Sequence, residues 1–448
     1  MSAHLSFDQA PPISVPLRFF LTAPLFGIAA GLLLAIDGGE TLANRGHPFT
    51  LGLTHLIAAG FLLQVMAGAL FQFVPVVTGG NVRRPQLVAS LVHLGLSLGT
   101  PLLATAFFTL RPALFTAAVS LLAPALLILV TIVGLALIGA NAQGDTLRAL
   151  RAAVLSLLPT ALLGATLALT LSGLIVSPVA KVLEAHQAWA LGGWALTLLA
   201  GVSWSVVPMF QITPPYPTAL TRTFVPAMLT GLGLLSMGLL SMELLVSAPW
   251  ADGLLLLGKA LLLADAAAFA AMTLNLQARA KRKNSDSTRL FFRVAMICLL
   301  SFCVVGALLL ATGGSTMTEL PVALGILLLL GVFGAAVCGM LYKIVPFLVW
   351  LHLRSQLPKG VIPPNVNRMI PPVRTQRQFW LYLLSLALLL PSPWLPLAAR
   401  AGGLCLALSC GLLLVNLVGP VRIYRQHLRQ HHNQLISQNC ADGERPES

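Results

Sequence analysis

Long apolar stretches, repeated twelve times, constrain this chain more than any other feature. A helix that crosses about 30 Å of hydrocarbon needs roughly 20 apolar residues. The runs 17–37, 50–75, 87–108, 114–139, 149–173, 185–209, 223–248, 253–276, 291–312, 320–350, 378–397 and 400–420 meet that need. In lipid, each backbone polar group must find its partner within the segment, so each run is expected to be a helix. Only 9% of the 448 residues are charged; a soluble domain carries about 25%. That shortfall excludes a water-soluble fold and a disordered chain alike. Residues 1–424 are therefore expected to form a twelve-helix transmembrane domain, with 425–448 as a polar tail. The first run lacks a small-residue cleavage site and is expected to stay as a helix.

Twelve spans put both termini on one side of the bilayer. Arg45, Arg111, Lys181 and Arg400 fall in loops on the opposite side, and Lys259 and Lys343 fall within spans. The remaining basic residues lie on the side of the termini. Lys and Arg collect in cytoplasmic loops, so N-in, C-in topology is expected. The net charge of +14 then needs no nucleic-acid partner; the lipid bilayer suffices. The longer connections are 278–293 and the proline-rich 351–377. His427, His431 and His432 in the tail read as solvated residues or as a weak metal site. The six cysteines form no CxxC and read as small buried hydrophobes.

Three spans share a motif. Gly68 to Pro75, Gly201 to Pro208 and Gly339 to Pro346 all follow Gly-x-x-aromatic-polar-x-Val-Pro. Each interval between the prolines carries four helices, so the chain reads as three four-helix repeats. Proline frees a carbonyl one turn back, and glycine lets a neighbouring helix come close. Such helices can line a common centre. His55 and His186 sit at the far end of the second and sixth runs, about 30 Å from their prolines. The matching place in the tenth run, Leu324-Gly325-Ile326, offers no ligand.

These residues carry a family resemblance. The layout, with Thr54-His55-Leu56 leading to Pro75 and His186 leading to Trp204-Ser205-Val206-Val207-Pro208, resembles subunit I of the haem–copper oxidases. The sixth helix is similar to that of reduced bacterial relatives, including NnrS-type proteins linked to nitric-oxide stress. The resemblance implies an all-α membrane fold in three four-helix arcs, in a bacterial cytoplasmic (inner) membrane. It implies that His55 is a haem ligand and that His186 occupies a copper-ligand position. It also implies a membrane or periplasmic electron donor. The chain departs from the family in three ways. The seventh run has no histidine, the outer half of the tenth has no His-x-His, and the sixth lacks the family's tyrosine. His352 lies at the wrong end of the tenth run. Oxygen reduction at the usual binuclear centre is not expected.

What remains is chemistry for haem or for copper or iron. His55 can supply an axial ligand, with Met317 a candidate for the other side. His55 and His186 can form the core of a copper or iron site. Both can equally hydrogen-bond across helices and fix packing. Glu243 and Lys259 are expected to pair across a short loop or to snorkel, and Asp265 lies deeper as a proton-relay candidate. Together Asp265, Glu243 and Lys259 are candidates for a proton or ion path. Lys343 either reaches the headgroups or joins Gln72 and Ser205 in a polar cluster. His93 is expected to be a buried hydrogen-bonding residue. Trp189, Trp194 and Trp204 either pack in part against a cofactor or serve as ordinary membrane-interface anchors. Two functions follow: haem- or metal-dependent handling of a small redox molecule in the context of nitric-oxide stress, or a non-catalytic membrane transporter or scaffold.

Overall fold

A computed structural model describes residues 10–244, 249–281, 286–314, 316–357, 361 and 363–443. Among these residues, twelve long helices follow one another. They are α1 (Ser14–Asp37), α2 (Pro48–Thr78), α3 (Pro85–Thr109), α4 (Pro112–Ile138), α5 (Asp145–Leu171) and α6 (Val179–Gln211). They continue as α7 (Thr218–Leu244), α8 (Pro249–Ala278), α9 (Ser287–Ala311), α10 (Leu320–Gln356), α11 (Pro372–Leu389) and α12 (Pro396–Gly443). All but α11 are long and apolar enough to cross a membrane. The chain is thus an all-helical, multi-pass membrane protein.

Two elements differ from the sequence expectation. The eleventh helix begins at Pro372 and stops at Leu389, short of 397. Pro391 and Pro393 lie in the turn that follows. Each lacks a backbone N–H, so the helix cannot run on through them. The second difference is α12, which stays helical beyond Tyr424 to Gly443. The side chains of His431 and His432 lie outside the described residues.

Packing follows the chain in groups of four. The second helix of each group packs on the first: α2 on α1, α6 on α5, α10 on α9. The third and fourth pack together: α3 with α4, α7 with α8, α11 with α12. The fourth then packs on the first helix of the next group. α4 meets α5, α8 meets α9, and α12 returns to α1, closing a ring. Inside it lie α2 and α6, whose most apolar windows are 78% and 67% buried, and α10.

The three motif glycines explain the close approach. A Cβ on Gly68 would stand 2.7 Å from Phe19 Cβ in α1. One on Gly201 would stand 2.5 Å from Ala149 Cβ in α5, and one on Gly339 2.7 Å from Phe291 Cβ in α9. Contacts under 3.0 Å do not occur between real Cβ atoms and rigid neighbours. Each glycine is therefore the cost of seating an inner helix on the one before it.

The inner helices also share a backbone irregularity. Each contains an eight-residue π-helical stretch: Leu56–Leu63, Trp189–Leu196 and Leu327–Gly334. Leu56 to Pro75, Trp189 to Pro208 and Leu327 to Pro346 are 19 residues apart in every case. A glycine is the fifth residue of each stretch. Gly60 faces Phe26 of α1, Gly193 faces Ser156 of α5, and Gly331 faces Cys298 of α9. A π-turn loosens the regular ladder of hydrogen bonds. Side chains satisfy two of the affected carbonyls: the Thr197 hydroxyl donates to Gly192 O at 2.9 Å, and the Tyr382 hydroxyl to Leu330 O at 2.7 Å.

Candidate functional site

His55 is the residue just before the π-helical stretch of α2, and His186 lies three residues before that of α6. Both side chains are half-buried. His55 Nδ1 lies 2.7 Å from Leu51 O on its own helix. His186 Nδ1 lies 3.0 Å from Thr160 O on α5. A carbonyl can only accept, so in both rings Nδ1 carries the proton and donates. Nε2 is then the lone-pair nitrogen of each neutral ring. Among the described residues neither Nε2 has a hydrogen-bond partner.

The rings are fixed in other ways. His55 lies near-parallel to the Phe107 ring of α3, with centroids 5.1 Å apart. His186 fits against Gly164 of α5, where a Cβ would stand 2.9 Å from its Cε1. The two histidines are near enough to interact electrostatically. The structure thus brings the two sequence-predicted histidines into one neighbourhood. It also gives His186 the cross-helix hydrogen bond of the packing alternative. Met317 precedes α10 and is 58% exposed. No group of three or more His, Cys, Asp or Glu side chains among the described residues is placed to hold a metal ion.

The three carboxylate and lysine candidates are not brought together. Glu243 pairs with Lys181 at 2.8 Å and not with Lys259. Lys259 pairs with Glu184 at 2.7 Å. The expected pairing across the α7–α8 turn fails because the first turns of α6 supply both partners. Lys181 and Glu184 stand three residues apart on one helical face, so one reaches α7 and the other α8. Asp265 is buried in α8, and its Oδ2 has no hydrogen-bond partner among the described residues.

At the other end, Lys343 forms an ion pair with Asp286 at 2.7 Å. Asp286 is also the N-cap of α9, accepting from Arg289 N at 3.0 Å. Ser205 Oγ lies 3.4 Å from Thr146 Oγ1 of α5. Lys343 thus reaches Asp286 and not the headgroups, and the alternative cluster with Gln72 and Ser205 is split, with two of the three drawn away to outer helices. His352 is buried. Its ring lies 2.9 Å from Leu348 O and 3.0 Å from Pro11 O, tying the N-terminal segment to the end of α10. His93 Nε2 lies 2.9 Å from Thr22 Oγ1 of α1, the hydrogen-bonding role expected of it, with the ring half-buried. Trp189 donates to Ser236 Oγ of α7 at 3.1 Å, while Trp194 and Trp204 are buried.

Sequence reasoning missed Thr160 and Gly164, which seat His186. It also missed the second repeated glycine of Gly60, Gly193 and Gly331. The signal was present in the spacing: each of these glycines precedes its motif glycine by eight residues. No protein-family model matches the chain, and no curated protein matches it.

Proposed function

We propose that this chain is a membrane metalloprotein built on a reduced form of the haem–copper oxidase subunit I plan, in three four-helix repeats. Support for the threefold plan comes from the closed ring of packing contacts. The common register of π-helical stretch, glycines and proline in α2, α6 and α10 supports it further. In this reading the protein lies in a bacterial inner membrane with both termini cytoplasmic. It handles a small redox molecule such as nitric oxide, taking electrons from a separate membrane or periplasmic donor.

One observation carries the metal reading. In His55 and His186 each Nδ1–H donates to a backbone carbonyl, and Nε2 has no hydrogen-bond partner among the described residues. Metal-binding histidines are held in this way, since the second hydrogen bond fixes tautomer and ring orientation. The residues fit a group that leaves coordination positions open: a haem would be held by His55, and copper or iron would be held by His55 and His186. When bound, such a group would supply a binding position for a small diatomic or redox-active ligand. The chain's part is to orient the imidazoles, through Leu51 and Phe107 for His55 and through Thr160 and Gly164 for His186.

The test is a reduced-minus-oxidised absorption spectrum of detergent-purified protein, with metal analysis on the same sample. Wild type is compared with His55→Ala and His186→Ala at matched yield. Loss of a haem band in His55→Ala, or of stoichiometric copper or iron in either variant, is the expected result. Absence of haem, copper and iron after cofactor-supplemented expression would overturn the reading. The unpaired Asp265 favours a second reading, a non-catalytic transporter, because a carboxyl without a partner within the membrane is costly and tends to mark a path. Proton-coupled uptake by cofactor-free protein, lost in Asp265→Asn, would support it.

A further inference from the structure

The three inner helices enclose a cavity of about 150 Å³ near their prolines, at the opposite end from His55 and His186. Its lining follows a single register. Each helix contributes the residues ten, nine, six and two places before its proline and those one and two places after it. In α2 these begin at Val65, in α6 at Leu198 and in α10 at Ala336. α2 adds Leu70 and one polar side chain, Gln72. Its counterparts Ser205 and Lys343 are the two residues engaged by outer helices. Gln72 alone faces the cavity. It is 8% exposed, and its Oε1 has no hydrogen-bond partner among the described residues.

A buried amide oxygen without a partner costs about 1–3 kcal/mol. No other side chain of the lining can serve it, since all the rest are apolar. A molecule with an apolar body and one donor meets both requirements. Cavities of about 150 Å³ accept a molecule the size of benzene. Met209 lines the cavity and is 46% exposed, so the cavity reaches the surface at the proline end. Phe210 and Phe347 meet there edge to face, with centroids 6.3 Å apart. We propose that this cavity binds a small neutral alcohol or phenol, whose hydroxyl donates to Gln72 and whose hydrocarbon part fills the space between α2, α6 and α10. The site is independent of the histidine pair and of any bound metal.

The probe is a four-carbon alcohol bearing a diazirine, photolysed with the full detergent-purified chain and mapped by peptide mass spectrometry. The expected label is saturable and falls on cavity residues of the three inner helices. Excess phenol displaces it. Ala336→Phe, which fills the cavity, abolishes it; Val202→Phe serves the same purpose if Ala336→Phe does not elute as folded protein. Gln72→Leu keeps the shape but loses the acceptor, and the probe concentration for half-labelling rises roughly two- to tenfold, the worth of one hydrogen bond. Label that does not saturate and falls on exposed helix faces such as Leu94 and Leu155 would overturn the proposal, since it reports a lipid or detergent chain. So would label that persists in the cavity-filling variants, or half-labelling unchanged in Gln72→Leu.

Discussion

Gly201 of α6 lies directly against Ala149 of α5, so that a single added methyl would stand 2.5 Å from Ala149 Cβ. Neither partner is a flexible chain end, and the helices themselves would have to move apart. Gly201→Ala is expected to lower stability by about 1–3 kcal/mol, the usual cost of overpacking a tight contact. The paired variant Ala149→Gly with Gly201→Ala moves the methyl to the other helix and should recover most of the loss. Apparent melting temperatures of wild type, Gly201→Ala and the double variant in one detergent check this; a double variant no better than Gly201→Ala alone would show that the contact is not the cause.

Much of this contact was legible in the sequence. Gly201, Gly68 and Gly339 stand seven residues before a proline in equivalent runs, and glycine in a membrane helix signals close approach. The π-helical stretches were not legible. Leu327-Leu328-Leu329-Leu330 is apolar on every side, so no periodicity distinguishes a π-turn from a regular helix. The expected Glu243–Lys259 pair failed for another reason. Nearness in the chain favoured it, whereas the competing partners Lys181 and Glu184 become neighbours only once α6 packs beside α7 and α8. Likewise, the histidines could be picked out as a pair, but the carbonyls that orient them could not.

Those ion pairs should contribute little to stability. Lys181 and Glu243 are 32% and 45% exposed at their side chains, and Lys259 and Glu184 are 39% and 38% exposed. Water screens such pairs, and their coupling is typically about 0.2–1 kcal/mol. A double-mutant cycle with Lys181→Met and Glu243→Gln should return a coupling in that range, shrinking in high salt. The charge-reversed protein Lys181→Glu with Glu243→Lys should express like wild type. A coupling several times larger would mean that the pair is sealed from solvent by lipid.

Gly164 tests the seating of His186 without touching the imidazole. A methyl there would meet Cε1 at 2.9 Å, and the ring would have to turn away from Thr160 O. If His186 holds a metal, Gly164→Val should reduce copper or iron content to nearly that of His186→Ala, while protein yield and melting temperature stay close to wild type. Unchanged metal content alongside a lower melting temperature would assign the Gly164–His186 contact to packing alone.

Asp286 performs two tasks, and two substitutions separate them. Its Oδ1 caps α9 at Arg289 N, and its Oδ2 meets Lys343 of α10. Asparagine preserves a capping oxygen and removes the charge, whereas alanine removes both. N-cap loss typically costs about 1 kcal/mol. The Lys343 and Asp286 side chains are 17% and 29% exposed, so the lysine left without its counter-charge adds a penalty in either variant. Asp286→Asn should therefore be destabilised, and Asp286→Ala should be worse by roughly the value of the cap. Adding Lys343→Met to Asp286→Asn removes the stranded charge and should return stability towards wild type, because Met fills the lysine stem's place among its apolar neighbours. Thermal melts of the three variants decide this: equal losses in Asp286→Asn and Asp286→Ala would show that the cap contributes nothing, and no recovery with Lys343→Met would show that the lysine is not the source of the penalty.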